Sequence, residues 1–271
     1  MPTEKRARQR AGRQARLEAI AQHQRRRRLI RSSVIVLVIA AVVVGSVYLI
    51  TRPKPKTKTT FPNTAQGRLE RVWVNNGCPQ SSATTVNHQQ YTSIPAMTIS
   101  TTATYEATVR TDVGSFVITL NTKQSPIAVN SFVFLAKKGF YNCNIFHRVI
   151  QGFVDQTGDP TGTGRGGPGY QFTEAGPPTS SPQYPIGSVA LANSDSPATT
   201  DPKTNGSQWF VVAGTQGEAL PPDYVLFGQV TSGLSVVDTI NKDGAPASSS
   251  LGKPKVVHRI LSIKIKEVPS S

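Results

Sequence analysis

The residues best suited to chemistry lie between positions 146 and 210. In the run Phe146-His-Arg-Val-Ile-Gln-Gly-Phe-Val-Asp-Gln156 a single cation, Arg148, sits among apolar neighbours with strand character. Successive side chains of a strand point to opposite faces, so Arg148 and His147 face opposite ways and His147 reads as structural. Farther on, Asn205-Gly-Ser-Gln-Trp-Phe210 puts Gln208 and Phe210 on one face and turns Trp209 towards a core. A guanidinium beside amide and aromatic side chains makes a pocket fit to hold an amide group. A lone strand arginine is more often a surface charge, so spacing alone leaves both readings open.

Other chemistries find less support. Gly162-Thr-Gly-Arg-Gly-Gly167 matches G-x-G-x-x-G, but a dinucleotide site needs a strand before it and a helix after it. Here Asp159-Pro160 precedes and Pro168-Gly169 follows, which makes the run a loop. There is no G-x-S-x-G elbow. The four histidines, His23, His88, His147 and His258, are scattered, with no metal-binding H-E-x-x-H pair. No metal and no cofactor are therefore expected. Asn205-Gly-Ser207 has the form of a glycosylation sequon, a three-residue match common by chance. Cys78 and Cys143 are enough for one disulfide or two buried thiols, and too few for a disulfide scaffold.

The elements that would position these residues are mostly strands. Alternating or β-branched runs occur at 105–110, 115–120, 145–150, 188–192, 208–212, 225–230 and 256–266. Asp112-Val113-Gly114 separates the first two, as a hairpin turn would. One helix is well signalled: Ser125 suits the N-cap and Pro126 the first helical position. Val129, Phe132, Val133 and Ala136 then form an apolar stripe, and Lys137, Lys138 and Gly139 suit its end. A second helix is expected at 233–241. The fold class is thus mainly β: a closed antiparallel barrel of about eight strands capped by two helices.

The N-terminal part is of another kind. The net charge is +15, yet residues 1–31 hold eleven Lys and Arg against two Glu, so most of the excess sits in one basic tail. An uncharged run follows from Ser32 to Ile50. Nineteen residues at about 1.5 Å each reach roughly the thickness of a bilayer core, so it reads as a single transmembrane helix. A cleaved signal peptide is the rival reading, but the basic region is long and no small-x-small site follows. The excess of cations on the N-terminal side places the tail in the cytoplasm and the rest outside. Residues 51–66 are a Pro/Lys/Thr-rich linker, and the polar stretch to 103 shows no pattern of its own. The expected organisation is a tail at 1–31, a span at 32–50, a linker and unassigned segment at 51–103, and a globular domain at 104–268. Nucleic-acid binding through the tail is the poorer reading, because a membrane segment adjoins it.

Five segments, in order, resemble the cyclophilin family of peptidyl-prolyl cis/trans isomerases. They are Arg148 with Phe153 and Gln156; Gly158-Asp-x-Thr161 with the Gly-rich loop; Ala192-Asn193; Asn205-Gly-Ser-Gln-x-Phe210; and Val225-x-Phe-Gly-x-Val230. The resemblance implies Arg148 as the catalytic residue. It implies Phe153, Val154, Phe210 and Leu220 around the proline ring, Gln156, Asn193 and Gln208 on the peptide backbone, and Gly164, Ala192 and Tyr224 lining the groove. Three positions depart from the commonest pattern: Val154 for Met, Ala219 for Trp and Tyr224 for His. The missing Trp removes a large contact and an N–H donor, which implies weak cyclosporin binding. The loop 193–203 is longer than in compact members of the family.

The residue types suit that reaction. An X–Pro bond turns slowly because conjugation gives it a barrier of roughly 18–20 kcal/mol. In the twisted transition state the proline nitrogen becomes an acceptor, and a fixed guanidinium donor favours that state over the planar one. The expected partners are proline-containing segments of exported proteins and the membrane, with no nucleic acid and no metal, and the chain is expected to be a monomer. Outside the cytoplasm Cys78 and Cys143 can persist as a disulfide. The other-class alternative is a non-catalytic module of the same fold that holds Pro-containing segments of envelope partners.

Overall fold

The computed structural model describes residues 60–174, 183–193 and 204–268, and Val42. The basic tail, the apolar run from Ser32 to Ile50 apart from Val42, most of the linker and the loop 194–203 lie outside the described residues.

Eight strands form one antiparallel sheet in the order β3-β4-β6-β5-β7-β2-β1-β8. They are β1 (Thr104–Thr111), β2 (Gly114–Leu120), β3 (Arg148–Val149), β4 (Val154–Thr157), β5 (Ser188–Leu191), β6 (Trp209–Val212), β7 (Leu226–Ser232) and β8 (Ile260–Val268). β1 and β2 form the expected hairpin, with Thr111 opposite Gly114 across Asp112-Val113. Period-2 alternation sends Tyr105, Ala107 and Val109 of β1 and Phe116, Ile118 and Leu120 of β2 into the core. Beyond the edge strands, Phe146 N–H donates to the His258 carbonyl and Ile260 N–H to that of Asn144. The segment before β3 is thereby joined to the start of β8, with a bridge between Ile145 and Arg259.

Four helices accompany the sheet: α1 (Ala65–Asn75), α2 (Pro126–Lys137), the single turn α3 (Thr215–Glu218) and α4 (Leu234–Lys242). α2 and α4 fall where the sequence places helices, while α1 and α3 carry no such signal. All four stripe residues of α2 are buried, but so are Asn130 and Ser131 on its other side. The reason is a second cover. Asn130 Nδ2 donates to the carbonyls of Pro95 and Ala96, and Ile94 and Ile99 pack on the same core. Ser125 occupies the N-cap, but its hydroxyl donates instead to the Leu226 carbonyl. The N–H groups of Ile127 and Ala128, which have no partner within the helix, donate to the Glu174 carboxylate, at 2.8 and 2.7 Å.

Residues 60–103 wrap the domain as a strap. Thr64 caps α1 through Gly67 N–H, and α1 buries Trp73 completely. The Arg259 guanidinium lies 4.5 Å from the Trp73 ring centroid and donates to the carbonyls of Ser81 and Cys143. Cys78 and Cys143 are joined in a disulfide across 65 positions. Asp112, a turn residue by sequence, is turned inward: its carboxylate accepts from Trp73, His258 and the backbone of Arg259.

Candidate active site

β3 and β4 place the cation. Arg148 pairs with Gln156 across them, so both side chains emerge on one face. The guanidinium lies 5.6 Å from the Phe153 ring centroid. Partial burial pulls its pKa below the ordinary arginine value, with Tyr224 opposing. Behind it Gly252, at φ +65°, comes so close that a Cβ would stand 2.7 Å from Arg148 Cγ, and its carbonyl accepts from Val149 N–H. Only glycine fits there, and the loop it ends fixes the arginine stem. No sequence signal marked Gly252.

Arg148, Phe153, Val154, Gln156, Ala192, Asn193, Phe210, Leu220 and Tyr224 all line one cavity of about 210 Å³. Its floor is apolar: Val154 and Phe210 are buried and pack with Leu220 and Tyr224. The Tyr224 ring stands edge-on to Phe210 at 5.2 Å, and its backbone is held from both sides by the Tyr184 hydroxyl. Tyr184 was not foreseen, because the residue it holds lies 40 positions farther along the chain. Asn193 Nδ2 donates to the Asp223 carbonyl, which fixes this side chain at the edge of the cavity it lines. Ala219, where the family often has Trp, is exposed at the end of α3 and does not line this cavity.

The amide side chains are organised by the Gly-rich loop. Gln156 Nε2 donates to Gln208 Oε1 at 3.0 Å, and Gln208 Nε2 donates to the carbonyls of Gly164 and Gly166. Asp159 folds that loop from inside. Its carboxylate accepts from the backbone and hydroxyl of Thr161 and from the N–H groups of Thr163 and Gly164. Burial works to raise its pKa, but those bonds and the nearby His147 hold it below the usual carboxylate value. The His147 ring packs against Gly164 and does not line the cavity. Burial lowers its pKa. Neither ring nitrogen has a hydrogen-bond partner within bonding geometry among the described residues. Trp209 enters the main core, edge-on to Phe132 and Tyr141.

A guanidinium over a small apolar pocket, with aligned amides beside it, can grip a twisted amide and has no nucleophile to attack it. This is the site of a cyclophilin-type fold, and the comparisons agree. The family described as cyclophilin type peptidyl-prolyl cis-trans isomerase matches residues 106–265, so the chain belongs to that family. A probable peptidyl-prolyl cis-trans isomerase B of Mycobacterium leprae is 37% identical over 60% of this chain and 57% of its own length. The peptidyl-prolyl cis-trans isomerase A of Mycobacterium tuberculosis is 36% identical over 61% of this chain and 96% of its own. The chain thus spans little more than half of the B-type relatives. The crystal structure of a Cryptosporidium parvum cyclophilin superposes with a TM-score of 0.53 at 30% identity, covering 61% of this chain and 99% of that one.

Proposed function

We propose that the chain is a peptidyl-prolyl cis/trans isomerase that assists the folding of exported proteins from a membrane anchor. The observation that carries the activity is the convergence of Arg148, the apolar pocket and the Gln156–Gln208 pair on one cavity. Val154, Phe210 and Leu220 hold the proline ring while the acyl side turns. Asn193 and Gln208 hold the backbone. Arg148 donates to the proline nitrogen only once conjugation is broken, so it stabilises the transition state selectively. The sheet is read as a closed barrel, supported by the bonds between the segment before β3 and β8.

The test is turnover of a cis-Pro peptide by NMR exchange, which needs no coupling protease. Arg148→Ala should lower kcat/KM at least tenfold while thermal unfolding is unchanged. Full activity in that variant would reject the role of Arg148, and no activity in the parent chain would favour the binding-module alternative.

The anchor rests on the uncharged run from Ser32 to Ile50 and the asymmetry of cations around it. The Cys78–Cys143 disulfide supports an oxidising compartment. In intact cells, protease added outside should remove residues 60–268 from a full-length chain tagged at its N-terminus and leave the tag. Protection of the whole chain would reverse the orientation. Release by salt wash would remove the anchor.

A further inference from the structure

The strap lies ahead of the part of the chain that matches the family, at 106–265, and the reaction itself makes no demand on it. Yet it is fastened to the Gly-rich loop at both ends of that loop. Val86 N–H donates to the Pro160 carbonyl at 2.9 Å, Gln90 Nε2 to Gly167 at 2.9 Å and Tyr91 N–H to Pro168 at 2.8 Å. Gly169 comes so close that a Cβ would stand 2.7 Å from the Tyr91 carbonyl oxygen. The same stretch of strap is also fastened to the packed core. Ser81 accepts from Arg259 at 2.7 Å, and Asn87 Nδ2 donates to the Phe140 carbonyl at 2.8 Å. The Tyr91 ring stands edge-on to Phe134 of α2, with centroids 5.0 Å apart. Tyr91 is thus a pin: its ring is set in a helix and its backbone holds the loop.

The loop in turn serves the site. Its carbonyls at Gly164 and Gly166 take both bonds from Gln208 Nε2, at 3.0 and 2.9 Å. A run so rich in glycine has little stiffness of its own, and ordering it costs more than ordering other residues. A loop ordered before the client arrives removes that cost from binding. We propose that Tyr91 is a positioning residue for the isomerase: it braces the Gly-rich loop from outside, and the braced loop aims Gln208 at the client backbone. The inference rests on the isomerase reading through the part given to Gln208. Tyr91 lines neither the cavity beside Arg148 nor the larger one along the loop, so it acts through the loop and not by touching the client.

The experiment compares full-length variants by NMR exchange on a Pro peptide, with amide hydrogen exchange at residues 164–167 as a second readout. Tyr91→Ala should raise KM about fivefold, with kcat within about twofold and faster exchange in the loop. Tyr91→Phe keeps the ring on Phe134 and should restore both. Phe134→Ala withdraws the other half of the pin and should raise KM by a similar factor, and the double variant should be no worse than either single one. Asn130→Ala frees residues 95–98 from α2 instead; it should lower the unfolding temperature and leave KM unchanged. Turnover with an unchanged KM in Tyr91→Ala and Phe134→Ala overturns the brace and leaves the isomerase reading intact. A KM that rises as far in Asn130→Ala also overturns it, because general loss of stability then explains the effect. Weaker peptide binding in Tyr91→Ala, with faster loop exchange and no turnover in the parent, supports the brace and rejects the isomerase reading.

Discussion

Asp159 does not line the cavity beside Arg148, yet the geometry of Gln208 passes through it. Its two oxygens collect the donors that curl the Gly-rich loop, and the carbonyls of Gly164 and Gly166 on that loop aim the Gln208 amide. Gly166 packs so closely over the carboxylate that a Cβ would stand 2.0 Å from Oδ1. An amide in place of the carboxylate turns an NH₂ towards N–H donors, which repels where the native group attracts. Asp159→Asn should therefore lower kcat/KM about tenfold, mostly through KM, with Arg148 left in place. Steady-state NMR exchange at several peptide concentrations separates the two constants. An unchanged KM would show that the loop does not set the backbone grip. Arg148 and its pocket were legible in the sequence because their motifs are local and ordered. Gly252 and Tyr184 were not. Their contributions are a close approach and a hydrogen bond across the fold, and neither leaves a pattern in the chain.

At the scale of elements the same contrast holds. The stripe on α2 and the Ser-Pro start announced the helix, but its N-terminal donors are satisfied by Glu174, 46 and 47 positions away. No local motif could carry that pairing. The strap is the larger case. Only α1 within it is regular, and much of its fastening is backbone and amide hydrogen bonds, which impose no hydrophobic period. The Cys78–Cys143 link fixes its start against the end of the α2 segment. In the loop-entropy account, closing 65 residues restricts the unfolded chain by about 4 kcal/mol. The double variant Cys78→Ser, Cys143→Ser should lose about that much stability in urea unfolding. Equal midpoints for the variant and the oxidised parent would mean that Trp73 and Arg259 hold the strap by themselves.

For the whole molecule, two buried groups couple folding to pH in the same direction. Asp155 lies on β4 between two pocket residues and is about 1% exposed. Burial pushes its pKa up to about 8, against the Asn241 hydrogen bond and the charge of His258. Burial works to lower the pKa of His258, but its bonds to Asp112 and Asp243 prevail and raise it. Each group therefore binds its proton more tightly folded than unfolded, and stability falls as pH rises. For His258 the stabilisation is complete below the unfolded value near 6.5 and is lost as pH climbs through its raised folded value. For Asp155 the loss begins near the unfolded value of about 4 and ends near 8. The two windows overlap from about pH 6.5 upward, where each group contributes a slope of up to about 1.4 kcal/mol per pH unit. Urea midpoints of the parent chain should thus decline between pH 6 and 8. Asp155→Asn mimics the neutral acid, keeps an oxygen for Asn241 and has no proton to lose, so its decline should be shallower. A flat parent profile would place both groups outside this linkage, and an identical slope in the variant would assign it to His258 alone. Because Asp155 separates Val154 from Gln156, the proton that steadies the fold also sits on the strand that carries the pocket.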